Sequence, residues 1–116
     1  MVTDKAQLVG ALAVVLLLSS GAAAPPPCSL VVSELSSCLS FITKRSSEPS
    51  KPCCIGVGNM AAKAKTPADR EAICRCAKAA LVEVPDYDPR LISQLPQKCG
   101  ASVKLPPIGP KTDCSK

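Results

Sequence analysis

Eight cysteines, Cys28, Cys38, Cys53, Cys54, Cys74, Cys76, Cys99 and Cys114, are the side chains with the most chemistry to offer in this 116-residue sequence, and no histidine accompanies them. Without imidazole there is no base for a Ser-His or Cys-His nucleophile pair, no nitrogen ligand of the kind zinc usually takes, and no group that titrates near neutrality unaided. An enzyme reading therefore has little to stand on. What remains for the thiols is oxidation: an even, dense set of cysteines in a short secreted chain reads as a disulfide framework rather than as metal ligands. No cofactor is implied.

The amino terminus points to an oxidising compartment. Residues 8–18 are an eleven-residue apolar run, followed by Ser19, Ser20, Gly21 and three alanines. A bilayer span needs about 20 apolar residues, so the run is too short to cross, and the small residues after it suit a signal peptidase. We read residues 1–23 as a secretory signal peptide and 24–116 as one extracellular domain. Removing the leader with its Asp4 and Lys5 leaves 13 basic against 8 acidic side chains. The cations are scattered from Lys44 to Lys116, a solvated surface that also favours transient contact with anionic membranes, and with it a defence role. Two aromatic residues, Phe41 and Tyr87, make no stacking platform for single-stranded nucleic acid, and secretion argues against nucleic acid as a partner.

The elements that must position the cysteines are helical. Leu30, Val31, Leu35, Cys38, Leu39 and Ile42 recur at intervals of three and four, which predicts a helix over 29–44. A polar loop, 45–52, precedes a second helix from Cys53 toward Lys63. Thr66-Pro67-Ala68-Asp69 combines an N-cap, a first-position proline and a capping-box carboxylate, which starts a third helix from Pro67 to about Val82. Asp88-Pro89 repeats the cap-then-proline start for a short fourth helix ending before Pro96, and the Pro85 to Pro89 turn is expected to leave Tyr87 exposed. From Gly100 onward Pro106, Pro107, Gly109 and Pro110 predict an ordered coil. Cys74 and Cys76, two apart on a helix, point roughly 200° apart and must staple opposite sides. Roughly a hundred pairings of eight cysteines exist, and geometry alone does not choose one.

The spacing C-x9-C-x14-CC-x19-CxC-x22-C-x14-C resembles the eight-cysteine motif of plant non-specific lipid-transfer proteins, over essentially the whole of 24–116. Thr66-Pro67-Ala68-Asp69-Arg70 matches the family's Thr-x-x-Asp-Arg, and the polar Arg75 within CxC is similar to the first, larger type. The resemblance implies an all-α fold: a compact bundle of four short helices and a long C-terminal coil, stapled around an internal hydrophobic cavity. For the first type it implies the bridges Cys28 to Cys76, Cys38 to Cys53, Cys54 to Cys99 and Cys74 to Cys114; the second type exchanges partners at the CxC pair.

It further implies a monomeric carrier of fatty acids, lysolipids or phospholipids, working between membranes or toward the cell wall and cuticle of the apoplast. The expected lining is Leu35, Leu39 and Ile42 from the first helix, Val57 and Met60 from the second, and Ile73, Ala77, Ala80, Leu81 and Val84 on or after the third. Leu91, Ile92 and Leu95 follow from the fourth, and Val103, Leu105 and Ile108 close the cage. Each of these residues fits a plain core equally well. Arg70 matches the family's arginine at the tunnel mouth, where a guanidinium holds phosphate or carboxylate oxygens; Asp69 is assigned to capping. The family's tail Pro-Tyr-x-Ile-Ser is replaced by Leu105-Pro106-Pro107-Ile108-Gly109, with Pro106 in the tyrosine's place. Phe41 is expected to pack structurally. The competing reading is a related eight-cysteine inhibitor of digestive hydrolases acting through an exposed loop at 46–52. A storage role is weaker, with three Gln and one Asn.

Overall fold

A computed structural model describes residues 24–116, and the expected leader, 1–23, lies outside the described residues. Every regular element among them is helical. The first helical run is broken in three: α1 (Cys28–Leu35), a 3-10 turn (Ser36–Cys38) and α2 (Leu39–Ile42). The carbonyl of Pro27 starts it by accepting from the amides of Leu30 and Val31 at 3.1 and 3.2 Å. The break falls where the Ser36 hydroxyl donates to the Ser33 carbonyl at 3.2 Å, a local bond that competes with the helical ladder. The periodicity of 29–44 hides such a break because a 3-10 turn still turns the chain the same way. The run stops at Lys44, φ 66°, where the amides of Lys44 and Arg45 reach back to Phe41 and Ser40, the Schellman closure without its usual glycine.

Helix α3 (Lys51–Lys63) starts two residues earlier than expected, because Ser50 caps it by accepting from the Cys53 amide at 3.2 Å and Pro52 fits the first turn. Helix α4 (Pro67–Leu81) opens on the expected capping box: Thr66 Oγ1 accepts from the Asp69 amide, and Asp69 Oδ2 accepts from the Thr66 amide, each at 3.1 Å. Helix α5 (Pro89–Lys98) is capped by Asp88 and, against expectation, runs through Pro96. A proline near a helix end forfeits one ladder bond, and here the turn is closed regardless. The Cys99 amide reaches Leu95 at 2.9 Å, and Ala101 reaches Pro96 at 2.8 Å across Gly100, whose φ is 74°.

Four disulfides cross-link these elements: Cys28 to Cys76, Cys38 to Cys53, Cys54 to Cys99 and Cys74 to Cys114. Helix α4 is thereby tied to the start of α1 by one cysteine and to the tail by another, while the adjacent Cys53 and Cys54 take α3 to the first helical run and to the end of α5. The larger apolar cluster gathers Phe41, Ile42, Val57, Leu81, Ile92, Leu95 and Ile108 around two of the buried cysteines. A smaller one joins Val31, Met60 and Cys76.

Two contacts fix how the helices approach. A Cβ on Gly56 would overlap the Glu34 carbonyl oxygen, so α1 and α3 pass at a distance only glycine permits. Asn59 adds a bond from its amide nitrogen to Glu34 at 2.8 Å. At the other end, the Asp88 amide donates to the Ile42 carbonyl at 2.9 Å, and its carboxylate takes Nε, Nη2 and the backbone N–H of Arg90 as well as an ion pair with Lys44 at 3.6 Å. The Arg90 side-chain bonds, then its backbone bond, hold the Asp88 carboxyl down at about 2.

Gly56→Ala is expected to destabilise the fold by at least the roughly 1–3 kcal/mol of an overpacked core. Gly58→Ala, which meets open space on the same helix, should gain about 0.5–1 kcal/mol; denaturant titration of both variants checks the contrast. For Asp88, whose carboxyl is depressed, the stabilisation is complete above the ordinary carboxylate range and is lost as pH falls through about 2. The gap in melting temperature between the parent and Asp88→Asn should therefore be steady at neutral pH and close in strong acid.

Candidate functional site

The faces that α1 to α5 turn inward do not meet. They border a cavity of about 670 Å³, the size of a small-molecule site rather than a packing defect. The first helical run contributes Val31, Val32, Leu35, Leu39 and Ile42, and α3 contributes Val57, Met60 and Ala61, with Ala64 just beyond it. Helix α4 supplies Ile73, Ala77, Ala80 and Leu81 at helical spacing, and α5 supplies Ile92, Leu95 and Pro96. The alanines leave space where longer side chains would have filled it. Polar groups are few: Ser36 in the first helical run, Arg70 and Glu71 near the start of α4, and Lys104, Asp113, Ser115 and Lys116 in the tail.

The tail forms the remaining wall with Val103, Lys104, Leu105, Pro106 and Ile108, and it does so without secondary structure. Its backbone is held by side chains instead. Tyr87 Oη donates to the Ile108 carbonyl at 3.1 Å, and Lys78 Nζ donates to the Thr112 carbonyl at 2.8 Å. Thr112 Oγ1 accepts from the Gly109 amide at 2.8 Å and donates to the Pro107 carbonyl at 3.1 Å. The bridge from Cys74 to Cys114 fixes the far end. Tyr87 is thus not the exposed loop residue expected of the Pro85 to Pro89 turn: it is half-buried against the larger apolar cluster. A hydroxyl bonded to a residue so distant in sequence leaves no local signature.

Of the expected lining, Leu35, Leu39, Ile42, Val57, Met60, Ile73, Ala77, Ala80, Leu81, Ile92, Leu95, Val103, Leu105 and Ile108 border the cavity, as does Arg70. Val84 and Leu91 do not; both pack against the larger apolar cluster. Val84 follows α4 in a turn whose amide bonds back to Leu81, so it leaves the face that Ala77 and Leu81 share. Leu91 is one residue, about 100°, around α5 from Ile92. Residues missed from sequence include Val31 and Val32 one turn before Leu35, and Ala61 and Ala64 on the same row as Val57; the three-and-four spacing was there to find them. Arg70 is exposed, with Nη1 donating to the Ala64 carbonyl at 3.3 Å, which leaves its other guanidinium donors available.

A family model described as protease inhibitor/seed storage/LTP family matches residues 28–114. Non-specific lipid-transfer protein A of Ricinus communis is 42% identical over 87 residues, spanning 75% of this chain and 94% of that protein. Non-specific lipid-transfer protein 3 of Hordeum vulgare is 38% identical over 89 residues, 77% of this chain and 75% of that one. Among solved structures, the barley non-specific lipid transfer protein 1 in complex with a lysophosphatidylcholine superposes with a TM-score of 0.69 at 28% identity, covering 78% of this chain and 98% of that chain. A wheat non-specific transfer protein complexed with two molecules of phospholipid gives 0.66 at 30% identity, with the same coverage.

Tyr87→Phe keeps the ring and removes the bond to the Ile108 carbonyl. It is expected to cost about 1 kcal/mol and to speed amide exchange at Gly109 and Thr112 while leaving α3 unchanged, as hydrogen-exchange mass spectrometry would show.

Proposed function

The chain belongs to the protease inhibitor/seed storage/LTP family, among relatives that are non-specific lipid-transfer proteins, and from that premise we propose that it is a secreted carrier that holds fatty acids, lysolipids or phospholipids in its cavity and moves them between membranes or to the cell wall. The observation that carries the reading is the cavity itself, bordered by aliphatic side chains from every helix and from the tail. Each methylene taken from water into such a space gains roughly 0.8 kcal/mol. The gain is non-directional, so chain length matters more than chain identity, and broad ligand acceptance follows.

Polar function is confined to a few charged residues. Arg70 on α4 is the group we assign to the head of an anionic lipid, since its exposed guanidinium borders the cavity. No covalent step is required: the reading is carriage, and the absence of histidine fits it. Secretion is supported by the apolar run at 8–18 and by a framework of four disulfides, which persists in oxidising compartments. The inhibitor reading gains nothing from the fold. Its candidate loop loses Lys51 and Pro52 to α3, and it gives the cavity no role.

Displacement of a fluorescent fatty acid from the oxidised protein tests the carrier assignment: saturable binding that disappears on reduction supports it, and no binding overturns it. Within a binding-competent protein, Arg70→Gln should weaken a lysophosphatidylglycerol several-fold, on the order of 1 kcal/mol for an exposed charge-assisted contact, while sparing a monoacylglycerol. Equal loss for both lipids would remove Arg70 from the head-group role.

A further inference from the structure

Five large apolar side chains are exposed among the described residues, and three of them, Val32 at 43%, Leu39 at 39% and Val103 at 38%, also border the cavity. The other two, Ile55 at 57% and Val82 at 76%, do not. A side chain that is at once solvent-exposed and part of the wall stands on the edge of an opening. Val32 and Leu39 lie about two turns apart on the first helical run, and Val103 lies on the tail, so the large apolar wall residues that reach solvent come both from a helix and from the coil that covers the cavity. Lys104 is exposed beside Val103 and also borders the cavity, with no ion pair among the described residues. Of the carboxylates on the same wall, Glu71 is already paired with Arg75 at 3.4 Å, and Asp113 accepts from the amide and hydroxyl of Ser115.

We infer that this edge, Val32, Leu39 and Val103 with Lys104, is the face by which the protein lies on an anionic phospholipid bilayer. The inference rests on the carrier reading above and deepens it. An acyl chain leaving a bilayer avoids crossing water only if the apolar edge of the receiving cavity is seated on the bilayer, so the same residues must serve as wall and as contact. Charge complementarity selects the surface. The chain carries a formal net charge of +5, and a cation within the contact is drawn to an anionic leaflet over about a Debye length.

The sequence contains no Trp, so a single indole reports only its own position. Val32→Trp, Val103→Trp, Ile55→Trp and Val82→Trp are mixed with phosphatidylcholine vesicles containing phosphatidylglycerol and brominated acyl chains, and emission is read before and after the vesicles are sedimented. Docking by this face predicts quenching at positions 32 and 103 that is relieved on sedimentation, and none at 55 or 82. Lys104→Gln should reduce vesicle partitioning by about five-fold, the share of one cation near the surface. Quenching at 55 or 82 as strong as at 32 and 103, or unchanged partitioning in Lys104→Gln, overturns the docking face. Quenching at 32 and 103 that wholly persists after sedimentation reports lipid carried in the cavity without docking, and overturns the face while leaving the carrier reading intact. Relieved quenching in a protein that binds no fatty acid does the reverse. Two positions on the edge guard against one variant failing to fold.

Discussion

Four covalent cross-links let this chain keep a hollow that packing alone would close. A hollow of about 670 Å³ deprives its walls of the contacts a filled core would give them, at a cost that grows with the unfilled volume. The bridges act against that cost through the unfolded chain. Their sequence separations of 48, 15, 45 and 40 residues correspond to roughly 3–4 kcal/mol each in the loop-entropy account, short of full additivity. Cross-linking of this extent lets a domain with one Phe and one Tyr hold its shape around aliphatic walls.

The helix starts were legible because each is written in a few adjacent residues. Thr66-Pro67-Ala68-Asp69 and Asp88-Pro89 combine a capping oxygen with a proline that has no amide to satisfy, and both helices begin there. Ser50-Lys51-Pro52 is the same signal, obscured by the serines and prolines before it. Helix interiors and ends were harder. Pro96 reads as a stop in isolation, yet the helix is closed beyond it, where the amides of Gly100 and Ala101 donate to the carbonyls of Gln97 and Pro96. The serine-driven break after α1 is invisible to hydrophobic spacing.

The wall of the cavity was legible as a set of faces and not as a wall. Helical periodicity identifies which side of α4 turns inward, but the same Ile73, Ala77 and Leu81 would line a filled core. Whether facing helices touch depends on bridge positions and on contacts such as Gly56 against Glu34, none of which is a local property. Val84 and Leu91 illustrate the limit: both are apolar and near the right faces, and a turn or one residue of rotation takes them to the solid part of the interior. The tail was legible as a coil, whereas its anchors, Tyr87 and Lys78, lie 21 and 34 residues from the carbonyls they hold.

The bridges overlap along the chain. Cys28 to Cys76 spans the loops after α2 and α3, Cys54 to Cys99 spans those before and after α4, and Cys74 to Cys114 spans the turn before α5 and the whole tail. Every peptide bond from Cys28 to Cys114 therefore lies inside at least one closed ring. A protease that cuts the backbone once anywhere in that stretch leaves two pieces still joined through sulfur, and releases nothing. Losing a fragment takes a second incision or a reductant, so digestion of such a chain is a cooperative event rather than a stepwise trimming.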